Sequence, residues 1–164
     1  MKSPEPADAA TFLDFFRAVC GETDFLLFRP EEVSYIVEEE AGIIRSFLED
    51  ERKALIAIFD GKRIVANIGI QPVGKAEKLR HRAKIGISVR KEYWGQGLGS
   101  LLIQEAETAT RRMGFERLEL DVFTANSRAL LYQHLGFIQC GCIPRAARLT
   151  DGSYSDEIYM TKAL

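Results

Sequence analysis

Histidine is scarce in this chain. Only His81 and His134 occur, far apart, so a histidine-based metal centre has no cluster to grow from, and no metal site is expected. The three cysteines, Cys20, Cys140 and Cys142, form an odd set with a C-x-C pair and no C-x-x-C, which excludes a disulfide framework or a zinc ribbon. Reduced thiols of this kind fit a cytoplasmic protein. Long apolar runs are also missing: nothing approaches the ~20 residues that span a bilayer, and Met1 to Ala10 lacks the apolar core of a signal peptide. No membrane partner is expected. Nor is there an excess of one charge, because 22 Lys plus Arg stand against 24 Asp plus Glu for a net charge of -2. A protein that grips nucleic acid by broad phosphate attraction needs a basic surplus, so no nucleic-acid partner is expected.

What is present is an ordinary globular balance, 46% hydrophobic and 28% charged over 164 residues. That length fits one domain over residues 1–164, with a core large enough to need no staple. Phe12, Phe15, Phe16 and Val19 recur at spacings of three and four, predicting a first helix that closes at Cys20-Gly21. A second helix is expected from Glu31 to Glu49, with the Glu38-Glu39-Glu40 run on its solvated face. The period then changes to that of strands. Ala54 to Phe59 and Arg63 to Ile70 flank the turn signal Asp60-Gly61, predicting a hairpin. The cation-rich stretch from Pro72 to Lys84 reads as a solvated loop, and Ile85 to Val89 as the next strand.

That strand leads into Trp94-Gly95-Gln96-Gly97-Leu98-Gly99-Ser100, after which Leu98, Leu102, Ala106, Ala109 and Met113 mark a helix that Gly114 ends. Arg117 to Val122 alternates Leu118, Leu120 and Val122 with Glu119 and Asp121, a strand with one apolar and one acidic face. Asn126 is placed to cap a short helix carrying Ala129, Leu131, Tyr132 and Leu135, closed by Gly136. Phe137 to Ile143 and Ser153 to Met160 read as two last strands around the turn Asp151-Gly152. The pattern is α/β.

The glycine loop is an anion cradle. Alternating glycines let backbone approach a phosphate closely, and free N–H groups at the helix start favour its charge. Gly99 is followed by Ser100-Leu101 rather than Lys-Ser/Thr, which weakens nucleotide hydrolysis. A dinucleotide fold would want a third glycine or alanine at 100 and the loop near the chain start, and neither holds. A helix start that merely tolerates glycines remains the structural alternative, and a nucleotide-binding protein using the same cradle remains a weaker one.

Three segments taken together, Gly86-Ile87-Ser88-Val89, the loop Trp94 to Ser100, and the block Asn126 to Phe137, resemble the GNAT superfamily of acetyl-CoA-dependent N-acetyltransferases. The resemblance covers Ala54 to Leu164 well and the helical first third in general layout. It implies a single-domain mixed sheet whose central strands splay to admit acetyl-CoA, flanked by about four helices. The family places Arg or Gln where this chain has Trp94, although some branches carry Trp there. The family's first strand has almost no room before Ala7, so it is expected to be short or missing.

The resemblance implies site roles residue by residue. The amides of Gly95, Gln96, Gly97, Leu98, Gly99 and Ser100, with Trp94, would hold the pyrophosphate of acetyl-CoA. The exposed backbone of Ile87, Ser88 and Val89 would pair with the pantetheine arm, one amide polarising the thioester carbonyl. Asn126 and Ala129 would contact the cofactor, and Tyr132 would contact it and protonate the departing thiolate. A phenol with a pKa of ~10 is neutral at pH 7 and can donate to sulfur. An alkyl amine with a pKa of ~10.4 is almost wholly protonated there, so the acceptor needs a base. Many relatives carry a glutamate on the strand equivalent to Ala83 to Val89. This chain has Lys84 there instead, which leaves Glu119, Asp121, Asp156, Glu157 or a water chain. Phe25, Leu26, Leu27 and Phe28 could wall an acceptor pocket. The acceptor is expected to be a small-molecule or peptide amine, and relatives often form homodimers. A catalytically silent acyl-CoA-binding module is the rival reading.

Overall fold

A computed structural model describes residues 1–126 and 129–164, with Ala129 described by its backbone alone. Six strands form one mixed sheet: β1 (Ala54–Asp60), β2 (Arg63–Pro72), β3 (Arg82–Val89), β4 (Arg117–Phe123), β5 (Ile138–Arg148) and β6 (Tyr154–Ala163), in the spatial order β1-β2-β3-β4-β6-β5. Four α-helices accompany it: α1 (Ala9–Glu22), α2 (Val37–Glu49), α3 (Leu98–Arg112) and α4 (Ala129–His134). The N-terminal strand in question is reduced to one antiparallel bridge, in which Lys2 and Ala57 exchange backbone bonds of 3.0 and 2.8 Å.

Helices pack on both faces of the sheet, whose inner strands β3 and β4 alternate while the edge strand β5 is largely exposed. Ile68 and Ile70 of β2, Ala83 and Ile85 of β3, Leu118, Leu120 and Val122 of β4, and Ile158 and Met160 of β6 form one core with Leu102, Ile103 and Ala106 of α3 and with Tyr132 and Phe137. The other face carries Leu55, Ala57 and Ile64 against Phe12, Phe15 and Val19 of α1 and Ile44 of α2. Burying one such Leu, Ile or Phe contributes about 1.5–3 kcal/mol, so the two faces hold the helices on.

Several predicted boundaries move, among them the end of β5, which runs to Arg148 rather than Ile143. The second helix begins at Val37, not Glu31, because Pro30–Glu32 forms a separate short turn and the Glu39 carboxylate caps the Ile36 N–H at 3.1 Å. β3 begins at Arg82, inside the stretch read as a loop. Its charges are strand residues because β4 offers them partners: Arg82 bonds Glu119, with Nη2 to Oε2 at 2.8 Å, and Lys84 bonds Asp121. Among the described residues no helix is long and apolar enough to cross a membrane.

The parallel pairing of β3 with β4 is short. It runs through Arg82–Arg117, Ala83–Leu118 and Lys84–Glu119 and then stops, although both strands continue. Outside this rung β3 stays with β2 up to Ala66–Val89, and β4 stays with β6 up to Phe123–Glu157. The two halves of the sheet therefore part beyond Lys84 and Glu119, and a cleft opens between them.

Candidate functional site

Backbone direction decides what the cleft offers. The Arg82 carbonyl accepts from Val73 and the Arg90 N–H donates to Val65, so the even residues of β3 turn their polar backbone groups to β2. Groups alternate along a strand, so Ile85, Ile87 and Val89 turn theirs toward β4. By the same parity, the Arg117 N–H donates to His81 and the Thr124 N–H to Asp156, which leaves Asp121 and Phe123 turned toward β3. An extended ligand arm in the cleft can therefore bond to main chain on both sides.

At the wide end sits the glycine loop. Gly95 and Gly97 have φ of 77° and 81°, the left-handed region, and a Cβ at either would meet nothing within 4 Å. Glycine is required there by conformation, and the space beside it is open. Gly97 is the residue before α3, whose first-turn N–H groups have no intrahelical acceptor. The loop is fixed from three directions. Arg90, buried, donates Nε to the Ile64 carbonyl at 3.0 Å and lies over the Phe15 ring at 5.6 Å. The Tyr93 hydroxyl donates to Asp60 at 2.6 Å, and this bond pushes its pKa up. The Trp94 indole Nε1 donates to the Val89 carbonyl at 2.8 Å. The tryptophan that departs from the expected Arg or Gln thus ties the loop to the end of β3.

One cavity of about 1130 Å³ joins these parts. Of the residues singled out in the sequence, Ile87, Ser88, Val89, Trp94, Gly95, Gly97, Leu98, Gly99, Ser100, Asn126 and Tyr132 line it. Gln96 does not, and its amide instead donates to the Glu92 carbonyl at 3.1 Å. Ser127 and Arg128 lie outside the described residues, so the predicted cap by Asn126 does too, and nothing is said of the Ala129 side chain. Tyr132 is mostly buried, edge-on to Phe137 with ring centroids 6.2 Å apart, and still borders the cavity.

The four candidate carboxylates separate. Glu119 is engaged by Arg82 and Asp121 by Lys84, while Asp156 accepts from the Arg145 N–H at 2.8 Å. Glu157 lines the cavity and has no hydrogen bond or ion pair among the described residues. Phe25, Leu26, Leu27 and Phe28 all line the cavity on the side of α1 and α2.

Among the lining residues not singled out from the sequence as site candidates are Asn67, Gln71 and Glu40. Asn67 and Gln71 stand on β2 opposite Ser88 and Lys84, visible only once the register is known. Glu40 was assigned to a solvated face and is instead 4% exposed, bordering the cavity. The spacing of Glu40, Ile44 and Phe47 by four and three was the signal, since it puts the carboxylate on the helix's apolar stripe.

The comparisons with known proteins agree with this geometry. Residues 17–137 match the model of the acetyltransferase (GNAT) family. The crystal structure of a GNAT-family acetyltransferase from Streptococcus pneumoniae is 30% identical, with a TM-score of 0.93 over 99% of this chain and 98% of that one. A ribosomal-protein-alanine N-acetyltransferase from Brucella melitensis, 19% identical, has the same fold with a TM-score of 0.85 over 99% and 98% of the two chains. So does the yncA protein of Salmonella typhimurium, solved with its cofactor acetyl-CoA, at 15% identity and a TM-score of 0.85 over 99% and 92%. No curated protein matches the chain.

Proposed function

We propose, from the premise that the chain belongs to the GNAT acetyltransferase family, that it moves the acetyl group of acetyl-CoA to a primary amine by direct attack in a ternary complex. The observation that carries this reading is the parting of β3 from β4 beyond Lys84 and Glu119, which opens main-chain groups into a cavity ending at the glycine loop.

The residues present fit acetyl-CoA. Its pyrophosphate suits the left-handed glycines, beside which a Cβ would meet nothing, and its extended arm suits the backbone of Ile87 and Val89. The Val89 carbonyl already accepts from Trp94, so the N–H groups of Ile87 and Val89 are the donors left to hold the arm and polarise a carbonyl. When bound, acetyl-CoA supplies an activated thioester.

The chain's own groups then manage protons. Tyr132 borders the cavity, and its hydroxyl would give its proton to the departing sulfur. Removing the acceptor's proton at pH 7 costs about 4–5 kcal/mol for an alkyl amine. Glu157 is the carboxylate we assign to this step, directly or through water, because Glu119 and Asp121 are each held by a cation.

Release of free thiol from acetyl-CoA in the presence of a panel of amines tests the reading. Tyr132→Phe should lower turnover with acetyl-CoA affinity nearly unchanged. Equal turnover in both proteins would remove Tyr132 from the mechanism, and binding of acetyl-CoA without transfer to any amine would leave an acyl-CoA-binding module.

A further inference from the structure

Glu40 presents a chemical imbalance. It is 4% exposed on α2, whereas Glu38 and Glu39 beside it face solvent, and it borders the same cavity as the glycine loop. Its carboxylate has no hydrogen-bond or ion-pair partner among the described residues. Burial alone pushes its pKa up from the ordinary carboxylate range, with no donor or cation opposing the shift. Among the described residues no fully buried side-chain oxygen lacks a partner, so the Glu40 carboxylate is still reached from the cavity, a partly desolvated anion with no protein partner, offered to a cation that enters.

The surroundings say which cation. Phe12 and Phe16 of α1, Tyr35, and Phe47 of α2 line the same cavity as Glu40, and Phe12, Phe16 and Phe47 cluster about Ile44, one turn along α2 from it, aromatic lining that favours an ammonium on an apolar body. The charged residues lining the whole cavity, among those described, are Glu40, Asp121, Glu157 and Lys84, and Lys84 is committed to Asp121. A carboxylate on the acceptor would therefore find no unengaged cation, while a positive charge finds the unengaged carboxylates Glu40 and Glu157, of which Glu40 is the one on α2, the helix that packs against the phenylalanines of α1.

We infer that Glu40 is the acceptor-binding residue of this enzyme, and that it selects a primary ammonium carried on an aromatic or apolar body without an adjacent carboxylate. The inference rests on the amine-transfer reading for its biological sense, but its test does not depend on turnover.

The test is calorimetric titration of 2-phenylethylammonium, phenylalanine and the uncharged 2-phenylethanol into the full chain saturated with coenzyme A. The parent protein should bind 2-phenylethylammonium at least tenfold more tightly than phenylalanine. Glu40→Gln, which keeps shape and removes charge, should weaken the ammonium at least tenfold and leave 2-phenylethanol unchanged, and the exposed control Glu38→Gln should change nothing. Ammonium binding that is absent in the parent, preserved in Glu40→Gln, or lost together with alcohol binding would overturn the assignment. Parallel thiol-release assays keep the two readings apart. Glu40-dependent binding of an amine that is never acetylated would sink the transfer reading alone, and acetylation with an unaltered amine KM in Glu40→Gln would sink this one alone.

Discussion

The Trp94 indole nitrogen and the Val89 carbonyl oxygen, 2.8 Å apart, join the glycine loop to the last residue of the strand that lines the cleft. The two segments that the proposed function assigns to different parts of one long ligand are thereby held at a set distance. Trp94→Phe keeps the ring and removes the bond, which is worth about 1 kcal/mol. Acetyl-CoA affinity measured by calorimetry should fall about fivefold, with a smaller effect on turnover at saturation.

Gly97 and Gly86 make a matched pair. Both line the cavity and neither would bring an added Cβ within 4 Å of another atom, yet only Gly97 is left-handed. Gly97→Ala should cost ~1–2 kcal/mol in backbone strain, a fall in Tm of roughly 3–6 °C by calorimetry. Gly86→Ala, on extended backbone, should leave Tm where it was or raise it.

Glu157 and Glu119 are distinguished by their neighbours. Glu157→Gln should reduce kcat by about a hundredfold, the usual worth of a positioned base. Glu119→Gln should leave kcat near that of the parent, because its carboxylate serves Arg82 at the closed end of the cleft. Steady-state rates for the two variants decide the assignment.

Glu40 carries a stability signature of its own. Its native pKa is raised by burial, so the folded chain holds this proton more tightly than the unfolded one. The resulting stabilisation is complete below the ordinary glutamate range and is lost as pH rises through the native value. Glu40→Gln should therefore be the more stable protein at pH 7, with the advantage vanishing near pH 4, in urea titrations at both pH values. The groups that share the cavity with Glu40 are Tyr35 ahead of α2, Lys84 on β3, Tyr93 before the loop, Asp121 on β4, Tyr132 on α4 and Glu157 on β6. From α1 come only Phe12, Phe16 and Val19, since Arg17 is bonded to the carbonyls of Val33 and Tyr35.

Thiol labelling gives a quick check of the core. Cys140 and Cys142 are exposed on β5, while Cys20 is buried and has its pKa raised by burial and, secondarily, by Glu32. Two of the three thiols should react with a disulfide reagent in the native protein at pH 8, and Cys20 only after denaturant is added.

Local chemistry was legible in the sequence wherever one segment determines its own shape. Asp60-Gly61 turned the hairpin, and Gly95 and Gly97 stand where left-handed backbone is required. What needed a partner segment was hidden. Arg82 and Lys84 look like loop residues until Glu119 and Asp121 are brought beside them. Glu40 looks like one of three solvated glutamates until α2 is laid against the sheet. The splay itself follows from β3 and β4 each keeping its outer neighbour after they leave one another, a property of register that no single run of residues carries.

The loop from Tyr93 to Ser100 contains no lysine or arginine, so under the proposed function its hold on the pyrophosphate would be that of peptide dipoles. Such a field dies away within about one helical turn, and the chain as a whole is slightly acidic. A polyanion in solution is therefore not drawn in from afar. Its encounter rate should be that of plain diffusion and nearly indifferent to ionic strength, so selectivity for this ligand is exercised in how long it stays rather than in how fast it arrives.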